Sequence, residues 1–139
     1  MTESVRVLVD GEGAGPALVL ERPLSFWGGL DPTTGSIIDQ RHPQAGASVS
    51  GTVLVMEAGR GSSSASSVLI EAVRLMTAPA AIVMLEPDEI VALGAVVAVE
   101  LYGATLPVVV IDRELYRSLR SGEQIFVRGS TITRTDDTT

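Results

Sequence analysis

Five of the six positions from 62 to 67 are serine, within the run EAGRGSSSASSVLIEA at residues 57–72. Gly/Ser-rich segments usually read as flexible linkers, because they lack the apolar mass to fold. Here the run separates GTVLVM, which reads as a buried strand, from VLIEAVRLM, which reads as an amphipathic helix. A turn from strand into helix presents unpaired backbone N–H groups and the positive end of the helix dipole. Gly59 and Gly61 let the backbone approach a ligand closely, and Arg60 adds a cationic fork suited to carboxylate or phosphate. G-R-G-S-S-S therefore describes an anion site with hydroxyls beside the ligand. It is not a P-loop, since the G-K-[ST] ending is missing, nor a nucleophile elbow, since no G-x-S-x-G frames a serine. The plainer alternative is that one serine caps the helix and the rest are small, solvated residues. A serine hydroxyl is protonated at neutral pH, so catalysis requires positive potential or a neighbouring base.

The other reactive side chains are few. His42, in DQRHP, is the only histidine and reads more simply as a loop residue than as a catalyst. With one histidine and no cysteine, the chain offers no self-contained zinc site, disulfide, thiolate or iron–sulfur cluster of its own. In FWGGLDPTTG, Trp27 reads as a loop residue packed on the core, with an interface role as the alternative. Gly28 and Gly29 form a turn, and Asp31 with Pro32 an Asx-type turn. The three acids of LEPDEI, Glu86, Asp88 and Glu89, are explained by capping of a helix that begins there. A net charge of −7 without any Lys/Arg cluster argues against a nucleic-acid partner. MTESVRVLVD lacks the pattern of a signal peptide, and the longest apolar run, IVALGAVVAV, is too short for a bilayer. The default expectation is a soluble, cytoplasmic protein with no membrane partner.

These residues must be positioned by an aliphatic core, because 45% of the 139 residues are hydrophobic and only 4% aromatic. SVRVLVDG and GPALVLERPLSF read as strands, followed by an aperiodic Gly/Pro-rich loop interrupted by an extended SIID. TVLVM, AAIVML and LPVVVID are near-continuous apolar strands of the kind buried on both faces of a parallel sheet. Between them, Val68, Leu69, Ala72, Val73 and Met76 recur at helical spacing, and Asp88 to Gly103 brackets a second helix. RELYRSLRSG reads as a short helix closing at Gly122, and EQIFVRGSTITR as extended chain before a fraying polar tail at about 135–139. The expected fold is α/β, a three-layer β/β/α arrangement in one domain over residues 1–139.

LSFWGGLDPTTGSIID, HPQAG, SGTVLVMEAGRGSSSASSVLIEA, APAAIVMLEPDEIVALGAVVAVELYG and LPVVVID together resemble the small, swivelling domain of the aconitase X enzymes, from about Pro23 to Asp112. The resemblance implies a swivelling β/β/α domain acting as one subunit of a hydro-lyase on a small hydroxy acid. It implies a large aconitase X-type partner subunit that carries the iron–sulfur cluster, with no cofactor on this chain alone. It carries the proton-abstracting base over to Ser62, with Arg60, Gly61, Ser63 and Ser64 as substrate contacts. Trp27, Gly28, Gly29, Asp31 and His42 then stand as pocket or interface residues. Two activities belong to the family, cis-3-hydroxy-L-proline dehydratase and phosphomevalonate dehydratase. The serine-rich turn and the extended VALGAVVAVELYGATLPVVV are more similar to the former. LGAVVAVELYGATLPVVVID also resembles the end of the phosphohistidine domain of phosphoenolpyruvate-utilising enzymes. Ile90, Val91 and Ala92 stand where that domain needs its histidine, which argues against phosphotransfer. A non-catalytic swivelling or binding subunit is the alternative of another class.

Overall fold

In the computed structural model, which describes residues 5–59 and 64–134, thirteen elements follow one another. They are β1 (Val5–Val9), β2 (Glu12–Val19), α1 (Phe26–Gly29), β3 (Leu30–Asp31), β4 (Ser36–Ile37), β5 (Val53–Met56) and α2 (Ala65–Arg74). There follow β6 (Ala81–Met84), α3 (Glu89–Tyr102), β7 (Val108–Ile111), α4 (Arg113–Ser118), β8 (Gln124–Arg128) and β9 (Thr131–Arg134). Seven strands form one sheet in the order β1-β7-β6-β5-β2-β8-β9, and β3 pairs with β4 alone. The apolar runs become the parallel centre, β5, β6 and β7, joined by crossovers that contain α2 and α3.

Alternation along these strands divides the core in two. Leu54, Met56, Ile82, Met84 and Val108 face Leu69, Ala72, Val91 and Ala95 of α2 and α3. Val53, Val55, Ala81, Val83, Val109 and Ile111 share the opposite cluster with Leu115, Leu119 and the β8 residues Ile125 and Val127. Each of the buried Val, Leu, Ile and Met side chains contributes about 1.5–3 kcal/mol by leaving water. The expected β/β/α layering is therefore present, built by one sheet that curls until β8 covers the face away from α2 and α3.

β2 makes the curl. Its first five residues, Glu12 to Pro16, pair with β8, and Ala17, Leu18 and Val19 pair with β5. The strand thus starts three residues before the sequence reading placed it and stops at Val19 rather than running to Phe26. Its glycine-rich first half lies backbone to backbone across the entries of β6 and β5. A Cβ on Gly13 would overlap the Ala80 carbonyl oxygen, and one on Gly15 the Gly51 carbonyl oxygen. Contacts made by backbone leave no hydrophobic period to read.

α2 ends earlier than its apolar spacing suggests. Met76, expected on the buried stripe, is 87% exposed, beyond the helix, with φ of 63°. Its N–H donates to Val73 O and that of Thr77 to Ala72 O, a Schellman closure that Pro79 enforces two residues on. A left-handed conformation costs a residue with a Cβ about 1–2 kcal/mol. Met76→Gly is therefore expected to raise stability by roughly 0.5–1 kcal/mol, read as a higher urea midpoint.

α3 follows its sequence signals closely. The Asp88 carboxylate accepts from Ile90 N and Val91 N at 2.9 and 3.1 Å, and Gly103 closes the helix with φ of 67°. Val91, Gly94, Ala95 and Ala98 are buried, while Leu93, Val96, Leu101 and Tyr102 stand exposed. α4 stops at Ser118, short of the expected Gly122. Among the described residues, no helix is long and apolar enough to cross a membrane. The polar tail at 135–139 lies outside the described residues.

Candidate functional site

The turns that follow β5 and β6 emerge side by side at the same end of the parallel strands, where α/β sheets place their ligand sites. They are laced together by Leu85 N and Glu86 N, which donate to Glu57 O at 3.1 and 2.9 Å. Beyond Glu57 the chain is held from two sides. Leu24 forms a parallel bridge with Gly59, and a Cβ on Gly59 would overlap the Asp88 carboxylate. The missing Cβ of Gly59 thus makes room for a helix cap, whereas the sequence reading gave that space to a ligand.

Arg60, Gly61, Ser62 and Ser63 lie outside the described residues. Ser64 occupies the N-cap position of α2, and its carbonyl oxygen accepts from Ser67 N and Val68 N at 3.1 and 3.4 Å. The two helix starts at this edge differ in charge. α3 begins with the Asp88 cap and Glu89, whereas the first turn of α2 contains no acid. The positive end of α2 is thus not neutralised by an acid of its own first turn, as an anion or a developing oxyanion requires.

The segment carrying the Leu24 bridge continues into α1 and sorts its two aromatic residues. Phe26 is 1% exposed and Trp27 is 60% exposed. Trp27 therefore does not pack on the core as expected; its neighbour fills that place, and the indole faces outward close in sequence to the Gly59 bridge. Gly28 has φ of 80° with open space beside its Cα, and Gly29 is buried against Leu24. Asp31 forms the expected Asx turn, its Oδ1 accepting from Thr33 N at 2.9 Å.

His42 is 6% exposed, with both ring nitrogens engaged. Nδ1 accepts from Gln44 N, and Nε2 lies 3.0 Å from Arg22 O, an arrangement that makes Nε2 the donor. Both nitrogens are committed to main chain, so His42 staples the 42–46 loop to the end of β2 and offers no base to the serines. On the far side of the turn, burial first and the Glu57 carboxylate second hold the Tyr116 hydroxyl above its usual range. The residues that sequence reasoning missed are Leu24 and, against Gly59, Asp88. Neither carries a spacing signal, because both act across long sequence separations.

Gly59→Ala would push the Asp88 carboxylate off its two N–H donors. Loss of such a cap costs about 1–2 kcal/mol. The expected result is a lowered thermal midpoint.

The sequence profile of the aconitase X swivel domain matches residues 2–134 of this chain. The chain belongs to that family. The swivel domain is 50% identical over 103 residues to the cis-3-hydroxy-L-proline dehydratase of Pseudomonas aeruginosa, covering 74% of this chain and 18% of that protein. It is 47% identical over 98 residues to the phosphomevalonate dehydratase small subunit of Methanothermobacter thermautotrophicus, covering 70% of this chain and 75% of that one. In structure the swivel domain is similar to Thermococcus kodakaraensis aconitase X (holo-form), with a TM-score of 0.85 and 31% identity. The match covers 96% of this chain and 98% of that one. The swivel domain spans about a fifth of the length of the hydroxyproline dehydratases it matches.

Proposed function

We propose that this chain is the small subunit of an aconitase X-type hydro-lyase, active only with a large partner subunit. The substrate is a small hydroxy acid, cis-3-hydroxy-L-proline in the reading favoured here, and Ser62 is the base. The supporting observation is that the chain leaves β5 through a braced Gly59 and enters, from Ser64, a helix whose first turn holds no acid, with Ser62 in the sequence between them.

The positive end of α2 and the Arg60 guanidinium lower the cost of a serine alkoxide. That alkoxide takes a C–H proton, the freed electron pair forms the double bond, and hydroxide leaves the adjacent carbon. The residues of this chain do not fit an iron–sulfur cluster: the sequence has no cysteine, and among the described residues no three His, Cys, Asp or Glu side chains converge. The cluster that the resemblance implies is assigned to the large partner, and no step on this chain passes through it.

A second reading is the phosphomevalonate dehydratase small subunit, since the chain is 47% identical over 98 residues to one such subunit and 50% identical over 103 residues to a hydroxyproline dehydratase. The deciding test is anaerobic turnover of the chain co-expressed with its large partner, on both substrates, as wild type and as Ser62→Ala. Dehydration of one substrate that disappears with Ser62 supports the reading and names the substrate. Full activity without Ser62 overturns the base and makes the chain a non-catalytic swivelling subunit.

A further inference from the structure

One helix touches the chain on both sides of the segment that carries Ser62. Ahead of the segment, Gly59 abuts Asp88, whose Oδ1 is committed to Ile90 N and Val91 N. Behind it, a Cβ on Gly94 would stand 3.1 Å from Ser66 Cα, 3.2 Å from its carbonyl oxygen and 3.3 Å from its Cβ. Asp88 and Gly94 are six residues apart, about 9 Å along a helix. α3 is itself fixed to the sheet, since Val91, Ala95 and Ala98 are 2%, 0% and 0% exposed. Glycine inside a helix is unfavourable relative to alanine. The approach of the α2 backbone accounts for its presence at 94.

We propose that Gly94 is a positioning residue. By letting the first turn of α2 settle directly on α3, it sets where the serine turn rejoins the helix, as the Gly59–Asp88 contact sets where it leaves β5. The proposal rests on the reading of Ser62 as base. An alanine methyl at 94 meets backbone and Cβ of Ser66, which cannot rotate away, so α2 must give by a few tenths of an ångström. A base displaced by that order loses alignment with its proton while substrate binding persists.

The test uses the full chain with its large partner, as wild type, Ser62→Ala, Gly94→Ala and Leu115→Ala. Leu115 lies in the core cluster on the opposite face of the sheet. Gly94→Ala is expected to lower kcat roughly 10- to 100-fold with KM within about two-fold, the pattern of an interaction made in the transition state. Leu115→Ala is expected to lower the thermal midpoint at least as far and leave kcat unchanged. Amide NMR signals of residues 64–68 should shift in Gly94→Ala and stay in place in Leu115→Ala. A wild-type kcat for Gly94→Ala, or a loss that only follows the thermal midpoint in both variants, overturns the positioning role. If Ser62→Ala is fully active, the base reading falls by itself, and unshifted signals at 64–68 in Gly94→Ala overturn the contact separately.

Discussion

Gly13→Ala is expected to cost about 3 kcal/mol or more of stability, measured as the drop in urea midpoint at constant slope. The added methyl meets the carbonyl oxygen of Ala80 and the Cβ of Ala81, and Gly15 faces the Gly51 carbonyl in the same way. Overpacking is usually relieved by a rotamer change in a neighbour. Here the main obstacle is backbone already held in place. Ala80 N donates to Thr52 O at 2.7 Å, and Gly51 N to Ala78 O at 3.1 Å. Moving either carbonyl breaks the bonds that align the entries of β5 and β6. Moving β2 instead breaks its ladder to β8. Gly46→Ala is the proper comparison, with φ of 93° and nothing within 4 Å of a new Cβ. It should cost only its backbone strain, about 1 kcal/mol.

Ser62→Ala is expected to lower kcat/KM of the reconstituted enzyme by about 10²- to 10⁴-fold, the usual contribution of a positioned general base. At about 1.4 kcal/mol for each tenfold, that corresponds to roughly 3–5 kcal/mol of transition-state stabilisation. The thermal midpoint of the chain should hardly move. Alanine is a good helix former, and the N-cap position of α2 belongs to Ser64. Activity and midpoint measured on the same preparation separate the two effects, and a parallel fall in both would make Ser62 structural.

What could be read from the sequence follows the physics of each segment. VLVM, AIVM and VVVI announced buried parallel strands because residues on both faces must be apolar, and the structure buries all but one of those twelve positions. Asp88 and Gly103 were legible as caps because local backbone chemistry demands such residues there. Glu12 to Ala14 was missed as strand, since a segment crossing other backbone closely must be glycine-rich and so resembles a turn. Trp27 was expected on the core and Phe26 takes that place, because a short irregular turn has no period to say which aromatic points inward. Met76 kept the helical spacing and lost its burial, since the helix reverses one residue before it. At the candidate site, the serine run and its neighbouring helix start were visible. The braces on Gly59 were not, because Leu24 and Asp88 reach it only through tertiary folding.

The pairing of Glu12 with Arg128 also fixes when this protein can fold as it is made. A ribosome delivers β2 well before β8, and the partner of its first half arrives more than a hundred residues later. Until β8 emerges, the polar edge of Glu12 to Pro16 has no partner, and the apolar face holding Val53, Val55, Val83 and Val109 lacks Ile125 and Val127. Pairing over such a separation is slow and leaves unprotected edges open to aggregation. Nascent chains stalled before residue 124 should therefore remain protease-sensitive and bound by chaperones, however complete their helices are.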